Sequence, residues 1–152
     1  MDTLTPWEMG RIRDTRTRNA YADWLQTLHW DYILTVTFRK PRVDGIRANS
    51  LVWEALHNLN CSRAFLATER YKYAKDIHIH GLLAEQPGWL PGISLPWVIW
   101  ERMHKLFGRS TCSLINSPGD VATYCSKYVT KAVSDYGFYG NRVFWEKLDK
   151  CE

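Results

Sequence analysis

The sequence lacks any apolar run long enough to cross a bilayer. Its longest, around Trp97 to Trp100, falls far short of the roughly 20 residues that a spanning helix needs. It also lacks the charged-then-apolar opening of a secretory leader, so the chain is expected to stay where it is made, in the cytoplasm of a host cell, with no membrane partner. Cysteine is sparse and scattered: Cys61, Cys112, Cys125 and Cys151 form no CxxC pair, which argues against a zinc ribbon or a disulfide scaffold and for reduced thiols. No internal repeat, low-complexity tract or linker divides the 152 residues, and a single domain is expected, with residues 1–15 as an arm of no clear periodicity.

A strong charge of one sign is missing too, since the formal net charge is only +4. Its distribution says more. Residues 1–60 hold eight basic and seven acidic side chains and residues 118–152 hold five of each, but residues 61–117 hold seven basic against four acidic. Arg70, Lys72 and Lys75 contribute to that surplus, and Arg39, Lys40 and Arg42 form a second basic run. Such clusters attract phosphates, although a net charge this small is also common in proteins that never touch nucleic acid.

Periodicity supplies an α+β reading. From Arg16 to Trp30 the apolar positions Ala20, Trp24, Leu25 and Leu28 recur at helical spacing. Asp31 to Phe38 (DYILTVTF) reads as a strand, with Leu34, Val36 and Phe38 on one face and Ile33, Thr35 and Thr37 on the other. A helix capped by Ser50 is expected to run to about Asn60. Arg63–Tyr71 and Asp76–Ala84 form an expected antiparallel hairpin around the turn Lys72–Lys75. Leu95–Phe107 reads as a helix, Arg109–Ile115 as a strand, and residues 116–120 as a break that caps a last helix, Val121–Val133. A helix followed by β-α-β-β-α-β-α implies a central antiparallel or mixed sheet with helices packed on it.

Two patterns within this frame carry chemistry. In Asp76-Ile77-His78-Ile79-His80-Gly81 alternation sends Ile77 and Ile79 to the core and both histidines to the opposite face, where two imidazoles can meet one cation. Gly81 removes a side chain beside them, so that a backbone or ligand can come close. Glu69, nearly level with His78 across the hairpin, is the candidate third ligand, leaving positions open for water and a phosphate oxygen. A single histidine on a sheet would more often be an ordinary half-exposed residue; two with an adjacent acid favour a metal without naming it. The second pattern is DVATYCSKYVTKAV, in which Tyr124 and Tyr128 lie one helical turn apart, as do Lys127 and Lys131. A phenol with a pKa of about 10 is a poor nucleophile unless a metal and a lysine assist. Core packing of both tyrosines with solvated lysines is the competing reading.

Together these segments resemble the motifs of the HUH endonucleases, the family of rolling-circle replication initiators, relaxases and single-strand transposases. Ile33–Phe38 is similar to the first initiator motif, His78-Ile79-His80 matches the His-hydrophobe-His motif, and Tyr124-Cys125-Ser126-Lys127-Tyr128 resembles the third. The form YxxKYVxK is closest to the microvirus and filamentous-phage replication proteins, and the resemblance spans residues 31–133. It implies a sheet flanked by helices, of the ferredoxin- or RRM-like kind, with Glu69, His78 and His80 holding Mg²⁺ or Mn²⁺. It further implies attack by Tyr124 on single-stranded DNA, leaving a 5′-phosphotyrosine link and a free 3′-hydroxyl, with Tyr128 either performing a second transfer or packing. Lys127 would assist, and Arg39, Lys40, Arg70, Lys72, Lys75 and Lys131 would contact DNA. The implied partners are a single-stranded origin with a hairpin and host replication machinery, and the protein is expected to be a monomer. A single-strand transposase of the same family, and a non-catalytic single-strand-binding module with exposed aromatics, are the alternatives.

Overall fold

A computed structural model describes residues 8–12, 15–40, 42, 44–59, 61–70, 77–85, 95–129 and 134–140. Among the described residues, six strands form one sheet: β1 (Glu8–Ile12), β2 (Tyr32–Thr37), β3 (Cys61–Arg70), β4 (Ile77–Glu85), β5 (Ser110–Leu114) and β6 (Ser134–Gly140). Their spatial order is β1-β6-β3-β4-β2-β5, and every neighbouring pair is antiparallel. Four α-helices among the described residues pack against it, α1 (Thr15–Gln26), α2 (Gly45–His57), α3 (Leu95–Leu106) and α4 (Pro118–Tyr124). The chain is thus α+β, as the alternation of helical and strand periods implied. Among the described residues, no helix is long and apolar enough to cross a membrane.

Helices cover both faces of the sheet. On one, Val52, Trp53 and Leu56 of α2 and Ile99 and Met103 of α3 pack over Leu34, Val36, Leu66, Ile79 and Leu83. On the other, Ala22 and Leu25 of α1 and Val121 and Tyr124 of α4 pack over Phe65, Leu82 and Phe138. The alternation expected for Asp31–Phe38 holds: Leu34, Val36 and Phe38 enter the first cluster while Ile33 packs against the second.

Several boundaries differ, each for a local reason. The chain before α1 contributes an edge strand, Glu8–Ile12, paired with β6; neither strand was expected, because neither shows a clear period-two pattern. The second helix begins at Gly45, not at Ser50. Asp44 is its cap, accepting from the Arg47 backbone N–H at 3.1 Å, while the Ser50 hydroxyl lies within the helix and donates to the Ile46 carbonyl. Gly81 opens space for the core and not for a ligand. It lies on the face opposite the histidines, where a Cβ would come within 2.6 Å of Leu66 Cδ2. The expected turn Lys72–Lys75 lies outside the described residues, but the strands it joins pair antiparallel.

Candidate metal centre

Strand pairing builds the site. Glu69 on β3 is the register partner of His78 on β4, and β4 is in turn paired with β2, which sets Thr35 opposite His80 and Thr37 opposite His78. All of these side chains fall on the sheet face that carries α1 and α4, because each is an even number of residues from a member of that face's core, such as Phe65, Leu82 or Ile33. The carboxylate of Glu69 reaches both rings: Oε2 lies 3.1 Å from His78 Nε2 and 2.9 Å from His80 Nε2. The rings stand nearly perpendicular, at 82°, with centroids 4.6 Å apart.

The contact with His78 has hydrogen-bond geometry, but buried His80 Nε2 makes no hydrogen bond despite its closeness to the carboxylate. Three ligand atoms converging within 4.8 Å, one of them an unpaired buried nitrogen, fit a shared cation better than a proton-bridged pair. Glu69, His78 and His80 could therefore hold a metal ion. His80 is also in the protonation state that ligation needs. Burial, then the charges of His78 and Lys127, push its pKa down to about 3, so the ring is neutral at neutral pH.

The helical segment above the site is not a continuous α-helix. Asp120 accepts from the Asn116 and Ser117 backbone N–H groups at the start of α4. After Tyr124 the chain widens into a π-helical turn, Cys125–Val129. The two tyrosines, whose ring centroids lie 5.3 Å apart, differ in burial. Tyr124 joins the buried face of the segment with Val121, Cys125 and Val129, and its hydroxyl donates to the His80 carbonyl oxygen at 2.7 Å. Burial first, and then the neighbouring Cys125 and Tyr128, raise its pKa well above the usual tyrosine value. Tyr128 is only half-buried and lies flat on the His80 ring, with centroids 3.6 Å apart at 14°. Its pKa is raised too, by burial and then by the Glu69 charge, which sets its hydroxyl within the carboxylate's field. Exposed Lys127 carries its Nζ 5.9 Å from the Tyr128 ring centroid. A cleft between α4 and the β5 edge, lined by Ile33, Leu114, Thr123, Tyr124, Lys127 and Tyr128, opens beside them.

The expected phosphate contacts divide. Arg39 is exposed, and its guanidinium donates to the His104 and Lys105 carbonyls at 2.6 and 2.7 Å, closing the C-terminal end of α3. Lys40 and Arg70 are exposed at the sheet end that carries Glu69 and His78. Lys72, Lys75 and Lys131 lie outside the described residues. One residue that the sequence did not single out belongs to the site: Thr35 Oγ1 is 3.2 Å from His80 Nδ1. Alternation had put Thr35 on the correct face of its strand, but nothing local indicated that this strand would be the neighbour of β4. No family model, curated protein or solved structure matches the chain, so what the site does rests on the chemistry of these side chains.

Proposed function

We propose that this protein nicks and rejoins single-stranded DNA through a tyrosine, in the manner of a rolling-circle replication initiator. The observation that carries the reading is the meeting of two chemistries on one sheet face. The Glu69–His78–His80 cluster lies directly beneath a half-buried tyrosine with a lysine beside it. Glu69, His78 and His80 would hold the ion, and one carboxylate with two imidazoles suits Mn²⁺ more readily than the oxygen-seeking Mg²⁺. A divalent cation there supplies Lewis acidity to a phosphate oxygen and offsets the negative field of Glu69.

The spacing of Tyr124 from Lys127 favours Tyr124 as nucleophile; the geometry favours Tyr128. Both tyrosines line the cleft, but the Tyr124 hydroxyl is buried and engaged with the His80 carbonyl, whereas Tyr128 is half-buried and stacks on a ligand ring. In the proposed step the Tyr128 oxygen attacks phosphorus as the phenol loses its proton. The bond from phosphorus to the 3′ oxygen breaks, and that oxygen takes up a proton. A 5′-phosphotyrosine and a free 3′-hydroxyl result, and reversal by another 3′-hydroxyl rejoins the strand. Lys127 opposes the charge that builds on the phosphate.

The non-catalytic alternative needs an open aromatic sheet face, and helices occupy both faces of this sheet. The test is a denaturing gel of protein incubated with single-stranded oligonucleotides and Mn²⁺, with mass spectrometry of the adduct. A covalent band that Tyr128→Phe abolishes and Tyr124→Phe retains is expected. An adduct mapped to Tyr124 would exchange the two roles, and no adduct with any oligonucleotide would leave a binding module.

A further inference from the structure

Strand β2 supplies no ligand and no nucleophile to the chemistry above, yet it runs beside β4 and turns Thr35 toward His80. A neutral imidazole carries one N–H and one lone pair, and only the lone pair can bind a cation. We propose that Thr35 is a positioning residue whose hydroxyl accepts the N–H of His80 Nδ1, which leaves the Nε2 lone pair directed into the space between Glu69 and His78. The inference rests on the metal-site part of the reading above and gives this strand a role in it.

Three observations carry it. Thr35 Oγ1 lies 3.2 Å from Nδ1, close enough for a hydrogen bond. The opposite tautomer would put an N–H on Nε2, only 2.9 Å from a carboxylate oxygen, where it should donate; yet Nε2 makes no hydrogen bond. The ring has little freedom to choose otherwise, since Tyr128 lies flat against it and its own strand is paired on both sides. An outer partner of a ligating histidine fixes ring orientation and tautomer in this way, and its loss typically costs roughly 10–100-fold in metal affinity.

Thr35→Val keeps the shape and β-branching but removes the acceptor, and Thr35→Ser restores it. Two measurements on the full chain without DNA decide the matter: the ring-nitrogen chemical shifts of His80 in metal-free protein by ¹⁵N NMR, and Mn²⁺ affinity by titration calorimetry. The expected results are an Nδ1–H tautomer in the wild type and Mn²⁺ binding weakened about 10–100-fold by valine. Serine should return the affinity to within a few-fold of wild type, and thermal stability of the metal-free valine variant should change little. An Nε2–H tautomer in the wild type, valine binding Mn²⁺ as tightly as threonine, or a wild type that binds no Mn²⁺ would each overturn the assignment. Failure of the DNA reading looks different: valine weakens Mn²⁺ as expected, but no oligonucleotide is ever cut.

Discussion

Strand β4 has two sides that solve opposite problems. Ile77, Ile79 and Leu83 are buried against α2 and α3 in a cluster built around Trp53, Leu56 and Ile99, where shape and apolar area are all that matter. His78 and His80, one residue out of phase with them, are nearly as buried, but among groups that could hold an ion: Glu69, Thr35 and the Tyr128 ring. Burial on the first side stabilises the fold. On the second it keeps a histidine neutral and leaves its Nε2 without a hydrogen bond, an arrangement that gains its full value only with a ligand. The two sides should therefore respond differently to substitution, to acid and to metal.

The largest effect is expected on the apolar side. Trp53 is fully buried and stacks on Tyr139 with centroids 5.7 Å apart, so Trp53→Ala should destabilise by about 3–5 kcal/mol in urea unfolding. A metal-free protein that tolerated this change at under about 1 kcal/mol would mean that the α2 face is not the principal core. On the other side, His80→Ala should reduce Mn²⁺ affinity by more than the roughly 100-fold expected for losing an outer partner, with added Mn²⁺ no longer raising the melting temperature. Equal Mn²⁺ stabilisation of variant and wild type would remove His80 from the ligand set.

Acid supplies a smaller and more selective effect. The folded pKa of His80 is pushed down to about 3 from an ordinary 6.5, so between these values the unfolded chain binds a proton that the folded one refuses. Its contribution to stability is complete above pH 6.5 and is lost as pH falls toward 3, by at most about 1.4 kcal/mol per pH unit. Urea midpoints with a chelator present, compared between wild type and His80→Ala from pH 7.5 to 4.5, should show the steeper decline in the wild type; parallel curves would sink the idea. Smallest of all, Tyr124→Phe removes one buried hydrogen bond to the His80 carbonyl and should cost about 1 kcal/mol. A change well above that, read by the same unfolding assay, would mark the Tyr124 hydroxyl as an organiser of the histidine strand.

Much of the site was legible in the sequence because it depends on local rules. Alternation along Ile77–Leu83 put both histidines on one face, and a short hairpin connection brought Glu69 level with His78, as their register pairing bears out. The helix around the tyrosines was legible only in part. The i, i+4 spacing put Tyr124 and Tyr128 on one face, and their ring centroids do lie 5.3 Å apart, but the apolar stripe that buries Val121 takes Tyr124 with it and leaves Tyr128 half-buried. Nothing in DVATYCSKYV announces that choice, since it depends on what lies beneath the helix. The edge strand Glu8–Ile12 escaped notice for a related reason: its pairing is with β6, more than a hundred residues later in the chain.

By itself, then, the sequence determined the phase of the central strands and of the helices, because the side chains of a strand alternate and those of a helix recur by backbone geometry alone. That was enough to group Glu69 with His78 and His80. Only the tertiary structure decided which strands became neighbours and which faces were covered. Those outcomes follow from contacts between residues far apart in the chain, and they set Thr35 against His80, turned Tyr124 inward and laid Tyr128 over the candidate metal centre.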